Sequence, residues 1–496
     1  MMITVKLNKP EFEYDIHSLI KAFYPGETVR VTAEEKACGE PLLWEMRITY
    51  LPERIRIIWR ESGDGGAVLP ECSFAVDFSD RADTKNRLKQ NLYQLLAGYT
   101  GRELPWGTLT GIRPTKIPMK FLEQGKSRDE IRRYMKETYG TSDEKTQLSI
   151  DIAERELELL RKIDYQNGYS LYIGIPFCPT TCLYCSFTSY PLHAWAKRVD
   201  AYLDALEREL DFAAVKYARK HLNAVYIGGG TPTTLEPYQL DRLIRKIKCS
   251  FDLSDCLEFT VEAGRPDSIT REKLAVLRRH GVSRISVNPQ TMREETLRVI
   301  GRHHTVQQTI DSFHMARELG FDNINMDLIM GLPGETLSDV RETLERLCAL
   351  GPDNITVHSL ALKRAARLNM FREDYRDYQM VNTQEHMDLA ADYAGKLGLL
   401  PYYLYRQKSM AGNLENVGYA RPGKAGVYNI LIMEEKQDIV ALGAGSISKR
   451  VISDRQIRRC ENVKDVAQYI ARIGEMIERK KRFLCSPCNE VSGERL

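Results

Sequence analysis

Cys178, Cys182 and Cys185 lie within eight residues of one another, spaced C-x3-C-x2-C. A spacing this tight lets three thiolates face a common point, as a metal centre requires. Structural zinc takes four protein ligands, commonly as two separated CxxC-like pairs. This stretch offers three cysteines and no histidine; His193, further along, reads as a surface or helix-start residue. Iron–sulfur cubes are held by cysteine thiolates, normally four. Three thiolates would leave one iron without a protein ligand, open to a small molecule.

The elements that must position these thiolates can be read on either side. The apolar run Leu171–Ile175 reads as a buried strand. Pro176 ends it, so the cysteines fall in a loop just past its carboxyl end. Further strands are expected at Leu222–Ile227, Leu257–Val261, Arg284–Val287, Asn323–Met330 and Asn354–Leu360. Helical patterns lie between them at Asp200–Tyr217, Pro237–Ile247, Arg271–His280, Thr305–Leu319 and Leu337–Leu350. Strands alternating with helices argue a parallel sheet or barrel, whose active groups collect at the carboxyl ends of the strands. Six such units are visible over about 166–375. Their ends carry Gly228-Gly-Gly-Thr-Pro232, Glu262, Pro289-Gln290 and Asp327. Glycines expose backbone N–H groups to a close ligand. Glu262 can accept hydrogen bonds from a ribose or an amine. Asp327 sits in an apolar run and needs a polar partner, because a buried unpaired acid is costly.

Together these residues resemble the radical S-adenosylmethionine superfamily, in which the amino acid end of the cofactor chelates the open iron. Tyr-Ile-x-Ile-Pro-Phe-Cys, from Tyr172 to Cys178, and Tyr184 before the last cysteine are similar to one branch, the oxygen-independent coproporphyrinogen III oxidases and their relatives. The Thr110-Gly-Ile-Arg-Pro-Thr115 segment resembles a feature of its HemZ-type subgroup. The resemblance implies an α/β fold with a partial (β/α)6 barrel core, and the count of six units agrees. It implies a 4Fe-4S cluster on Cys178, Cys182 and Cys185, and S-adenosyl-L-methionine as second cofactor. The cofactor contacts carried over are Tyr172, Tyr184, Gly229, Gly230, Thr231, Glu262, Gln290, Arg302, Asp327, Ile329 and Ala361. A second adenosylmethionine has been inferred in that branch, and Ile447 matches its contact.

The reaction implied is reductive cleavage of the cofactor to a 5′-deoxyadenosyl radical, which takes hydrogen from the β-carbon of a propionate. Carbon dioxide leaves, an acceptor removes one electron, and a vinyl group remains. Two rounds convert coproporphyrinogen III to protoporphyrinogen IX, with an electron donor such as flavodoxin or ferredoxin. Rival readings are radical methyl transfer to heme or its degradation, and a heme carrier without decarboxylation. The carrier branch shows a His-Asn pair, whereas the comparable stretch here is Ala425-Gly-Val-Tyr-Asn429. The chain departs from the oxidase pattern at Gly174, where the family has histidine, and at Phe187, where it has a further cysteine. An acidic substrate needs cationic anchors; Lys363, Arg364 and Arg367 are candidates, or else form a solvated helix face. Arg113 could bind an anion or make a structural ion pair.

Composition bounds the rest. Of 496 residues, 43% are hydrophobic and 28% charged, an ordinary globular balance. A net charge of +3 argues against an extended nucleic-acid surface. No apolar run approaches the roughly 18 residues of a membrane span, and the first ten residues lack a secretory pattern. The eleven cysteines are then expected to stay reduced, as in a cytosol, in a cytoplasmic and monomeric protein. Three domains are expected. Residues 1–165 form an α+β domain, with strands at Ile3–Leu7, Leu43–Tyr50, Ile55–Trp59 and Ser73–Phe78 and a helix at Ala82–Ala97. Residues 166–375 form the core. Residues 376–496 form a substrate-covering extension with a helix at Gln384–Leu397, β-like structure at Ile439–Ser448 and a basic helix at Val463–Arg482. Cys485-Ser-Pro-Cys488 reads as an exposed thiol pair or a redox couple.

Overall fold

The computed structural model describes residues 2–33, 42–61, 71–111, 113–361, 366–371, 375, 378–407, 414–453 and 456–485. The chain forms two compact units. One comprises Met1–Glu154 with Leu404–Glu415, the other Arg155–Tyr403 with Asn416–Leu496.

The first unit carries a five-stranded sheet in the order Thr28–Thr32, Met2–Leu7, Leu42–Leu51, Arg54–Glu61, Cys72–Ala75. The alternation expected in the fourth of these holds: Ile55, Ile57 and Trp59 are buried and Arg54, Arg56 and Arg60 exposed. The helix Arg81–Thr100 lays Leu88, Leu92 and Leu96, one turn apart, into the core beside the edge-to-face pair Trp44–Trp59. Asp80 caps its start by accepting from the N–H groups of Ala82 and Asp83. Sequence reading missed the helix Glu13–Phe23. Its apolar spacing, Ile16, Leu19, Ile20 and Phe23, is regular. Its start carries no signal, since Phe12 precedes it in the left-handed region at φ 55° without a capping side chain. The strand Thr28–Thr32 was also missed.

The second unit is built on an eleven-stranded sheet. Six parallel strands run side by side in chain order: Gly168–Ile175, His221–Gly229, Glu258–Gly264, Arg284–Val287, Ile324–Met330 and Asn354–Ser359. Helices Val199–Tyr217, Pro237–Ser250, Arg271–Arg279, Val306–Glu318 and Leu337–Leu350 alternate with them. This is the partial (β/α)6 barrel that the family resemblance implies and the six-unit count fits. Four of the helices begin at Glu236, Thr270, Thr305 and Thr336, each a capping residue one position before the first turn.

The sheet continues into the expected third region. Asp438–Leu442 pairs parallel to the first strand, with Val440 opposite Leu171. Asn416–Ala420 pairs antiparallel to the sixth. Ile439–Ser448 is therefore two strands, the second being Ile447–Ser453, separated by a turn in which Gly443 (φ 97°) and Gly445 (φ 71°) take left-handed backbone. The basic stretch near the end forms two helices, Val466–Ala471 and Ile473–Cys485, rather than one.

Candidate functional site

The first barrel strand ends at Ile175, and Phe177–Cys178 makes a two-residue bridge with Tyr190–Pro191. The loop between holds Cys182 and Cys185. It is tied to the rest of the barrel mouth by backbone bonds: Leu183 N–H donates to Ile300 O at 2.9 Å, and Thr231 N–H donates to Phe177 O at 2.7 Å. The Thr231 hydroxyl lies 3.5 Å from Cys178 Sγ.

The second strand ends in the glycine run. Gly230 N–H donates to Ile175 O at 2.8 Å, and a Cβ at Gly230 would stand 2.5 Å from Phe177 O and 2.8 Å from Ile175 O. The close approach that requires glycine here is made by the cysteine loop itself. Gly229, at φ 108°, is additionally fixed by conformation.

Two arginines serve the loop, and only one was expected. Arg302 is buried, donates from Nη1 to Asn288 O, and stands close enough to Cys182 and Tyr184 for their charges to act on it. Arg265, one residue past the third strand, donates to Thr180 O at 3.0 Å and to Thr180 Oγ1 at 2.6 Å, with Cys182 Sγ at 3.9 Å. Asp267 holds the other face of its guanidinium at 2.5 Å. The signal for Arg265 was its place immediately after Gly264 at a strand end. Tyr184 is buried beside Cys182 and Cys185, close enough for their charges to act on its hydroxyl.

The barrel interior brings the remaining expected residues into two groups. Tyr226 donates its hydroxyl to Glu262 at 2.5 Å. Its ring stacks on Tyr428 at 4.5 Å and lies 6.2 Å from Tyr172. Burial raises the Glu262 carboxyl to about 7; Tyr226 opposes that rise, and the nearby Asp327 charge adds to it. Asp327 is the reverse case. Burial pushes it up, yet His358, Asn325 and Thr356 around it bring it below the usual carboxylate value. Asn325 Nδ2 donates to Asp327 at 2.7 Å, and His358 Nε2 lies 3.9 Å away. The polar partner demanded for Asp327 is thus within the protein. Gln290 binds the same strand, accepting from Ile329 N–H at 3.0 Å and donating to Asp327 O at 2.9 Å. It holds φ 67°, a costly conformation for glutamine.

Ala361 lies just past the sixth strand, outside both groups. Ile447 is 41% exposed at the start of its strand. His193 is exposed in a short helix, as expected. Arg367 is exposed, with its guanidinium over the Phe371 ring. Lys363 and Arg364 lie outside the described residues, as do Cys38, Cys488 and the side chain of Cys485. Sequence reading also missed Tyr226, Tyr428 and His358, inward-facing groups recognisable only once the barrel is closed.

The donor set fits an iron–sulfur cube. Among the described residues no three His, Cys, Asp or Glu side chains converge tightly enough for a single metal ion. One zinc would draw every sulfur to about 2.3 Å from the same point. Cys178 and Cys182 are buried, and Cys182 and Cys185 both stand near enough to Cys178 for their charges to raise its pKa. A cube spreads its thiolates over separate irons, which this spacing suits. Burial pushes the Cys178 thiol up to about 12 and also raises Cys185. Cluster assembly must therefore displace protons. Gln290 Oε1 and Arg302 Nε are buried beside the mouth without hydrogen-bond partners among the described residues, a feature a bound polar cofactor would resolve.

Residues 172–347 match the Radical SAM superfamily. The chain is 40% identical over 478 residues, 95% of both chains, to the oxygen-independent coproporphyrinogen-III oxidase-like protein HemZ of Bacillus subtilis. The chain belongs to the radical SAM superfamily, in the oxygen-independent coproporphyrinogen III oxidase-like family. Members of the superfamily use a 4Fe-4S cluster and S-adenosylmethionine. The oxygen-independent coproporphyrinogen III oxidase of Escherichia coli is 28% identical over 62% of this chain and 66% of its own. The solved structure of that species' coproporphyrinogen III oxidase HemN, described as a radical SAM enzyme, superposes with a TM-score of 0.51 and 25% identity. The match covers 65% of this chain and 73% of that one. The heme chaperone HemW of Bacillus subtilis is 41% identical over 39% of this chain, which spans about half of HemW. No described helix is long and apolar enough to cross a membrane.

Proposed function

We propose that this protein oxidatively decarboxylates propionate side chains of coproporphyrinogen III to vinyl groups without oxygen. The observation that carries the reading is the 40% identity to an oxidase-like relative across 95% of both chains. In it, Cys178, Cys182 and Cys185 hold the cluster. Gly229, Gly230, Thr231, Glu262, Gln290, Arg302 and Asp327 surround the adenosylmethionine, with Tyr172, Tyr184, Ile329 and Ala361 completing the contacts and Ile447 serving a second molecule. Bound together, cluster and adenosylmethionine supply a carbon-centred radical able to abstract hydrogen. The chain's own contribution is to orient and to exclude. Arg265 and Arg302 fix the cysteine loop, Gln290 and Asp327 hold one another through the backbone, and the Tyr172–Tyr226–Tyr428 stack fills the barrel and keeps water from it.

The test is anaerobic incubation of reconstituted protein with reductant, adenosylmethionine and coproporphyrinogen III. A product lighter by about 46 mass units per propionate, the loss of carbon dioxide and two hydrogens, supports the reading. Unchanged substrate, or a product heavier by about 14 units as in methyl transfer, overturns it.

The HemW match motivates a second reading, a heme carrier. Stoichiometric heme uptake without decarboxylation would favour it. Against it stands the stretch Ala425-Gly-Val-Tyr-Asn429, which lacks the carrier's histidine and whose Tyr428 stacks 4.5 Å from Tyr226.

A further inference from the structure

The five-stranded sheet of the first unit has two unlike faces. Ile3, Val5, Trp44, Met46, Ile57 and Trp59 point into the core. Because successive side chains of a strand alternate between faces, the register fixes what the other face presents. One row across four strands reads Arg30, Thr4, Glu45, Arg60. The next row sets Lys6 opposite Arg47 and Arg47 opposite Ile58, and the one after it sets Thr49 opposite Arg56. Arg54 continues the face two residues before Arg56. Arg30, Arg47, Arg54, Arg56 and Arg60 are all exposed.

The carboxylates at this face are engaged, Glu45 by Lys6 at 2.9 Å and Glu71 by Arg56 at 3.0 Å. The side chains of Arg30, Arg47, Arg54 and Arg60 make no hydrogen bond or ion pair with the described residues. Arg47 faces Lys6 directly and has Arg56 and Arg60 on the diagonals of the next strand. Like charges so placed destabilise a sheet, and an anion laid across them relieves the repulsion. The chain's total of +3 conceals this local excess.

Shape and composition narrow the anion. Strands about 4.8 Å apart, with about 3.3 Å per residue, set Arg30 and Arg60 about 14 Å apart across the sheet and Arg60 and Arg54 about 20 Å apart along it. Protein partners favour an apolar, aromatic centre, whereas the middle of this face is Lys6, Glu45 and Arg47. Single strands stack on aromatic rings, and none of the side chains that the register sets on this face is aromatic. A duplex backbone asks for neither. It carries one charge per about 1.7 Å of axis, so about 20 Å of it offers roughly a dozen phosphates. Guanidinium groups meet phosphate oxygens through two parallel hydrogen bonds.

We propose that this face binds the phosphodiester backbone of a nucleic-acid duplex, with Arg30, Arg47, Arg54 and Arg60 on its phosphates. The inference is independent of the decarboxylation reading, because it rests on the first unit alone.

The test is fluorescence anisotropy of the full-length protein with labelled RNA and DNA duplexes of about 16 base pairs, with single-stranded RNA and with polyglutamate, at about 50 to 200 mM salt. The expected result is duplex binding with a log–log salt slope of about −3 to −4. Arg47→Gln with Arg60→Gln is expected to weaken it about ten- to hundredfold and to remove about two units of slope. Arg47→Lys with Arg60→Lys is expected to keep the slope. Arg87→Gln, on the helix at the core side of the sheet, is expected to change neither. Since the replaced side chains are exposed and unpaired, the glutamine double variant is expected to melt no lower than wild type; a lower melting temperature overturns the free-face assignment. Absence of duplex binding by the wild type at the lowest salt overturns the proposal, as does equal binding by wild type and glutamine double variant. Single strands or polyglutamate bound as tightly as the duplexes overturn it too, the latter assigning the face to an acidic protein. Binding of either duplex supports it, and the RNA and DNA arms tell which. None of these outcomes touches the reaction, which is decided by product mass.

Discussion

Glu209 and Lys480, 271 positions apart, form a buried ion pair at 2.6 Å. Their side chains are 0% and 3% exposed. The same carboxylate accepts from Gly443 N–H at 2.9 Å and from the Tyr469 hydroxyl at 2.6 Å. Asn462 completes the set, donating to Glu209 at 2.8 Å and accepting from Lys480 at 2.7 Å. This knot ties a barrel helix and the last helix to the Gly443–Ser446 turn. Removing one partner leaves a buried charge alone, so Lys480→Met is expected to lower unfolding stability by about 3–5 kcal/mol. The double variant Glu209→Gln with Lys480→Met is expected to recover most of it. Urea midpoints of the three proteins check this; a single variant as stable as wild type would refute it.

Cys182 Sγ lies 3.9 Å from Arg265 Nη1 and close to Arg302. Cys182→Ala is expected to abolish the iron–sulfur absorbance and all cleavage of adenosylmethionine. If that variant retains both, the cluster is not where the loop places it.

Arg265 reaches the cluster loop through Thr180 rather than by ligating metal. Groups that orient metal ligands typically govern affinity by 10–100-fold. Arg265→Gln is expected to weaken cluster retention by about tenfold, measured as the rate of iron loss to a chelator. Tyr226→Phe, away from the loop, should leave that rate unchanged.

Burial raises the Glu262 carboxyl to about 7 in the folded protein, from its ordinary value of 4.5. The folded state then binds more protons than the unfolded one between those limits. The sign follows: stability from this group is greatest below about pH 4.5, falls as pH rises to about 7, and is level above it. Glu262→Gln is expected to flatten that slope and to gain on the order of 3 kcal/mol above pH 7. Melting temperatures of cofactor-free protein between pH 5 and 8 decide it, and parallel curves for the two proteins would contradict the assignment.

Gly230 has no room for a methyl group, since both near atoms are backbone oxygens of the cysteine loop. Gly230→Ala is expected to cost about 3 kcal/mol and to impair cluster assembly. Gly26→Ala, where open space surrounds the position and φ is likewise not positive, is expected to be tolerated and separates crowding from the loss of glycine itself.

The sequence by itself determined the barrel and the loop. Apolar runs and capped helices have short periods, and their bounds are written in neighbouring residues; Arg284–Val287 and Leu337–Leu350 came out as expected to the residue. The C-x3-C-x2-C loop was legible because its three ligands are local, and so were Glu262, Gln290 and Asp327 as polar residues at strand ends. What needed the tertiary structure was every pairing across distance. Arg265 meets Thr180, Tyr226 meets Glu262, Tyr428 joins the ring stack from a later helix, and Lys480 reaches Glu209. No spacing rule links such residues, since closing the barrel, not the local chain, makes them neighbours. The same closure gave Gly230 its role: the chain's own carbonyls, brought within 3 Å of its Cα substituent position, leave room only for hydrogen.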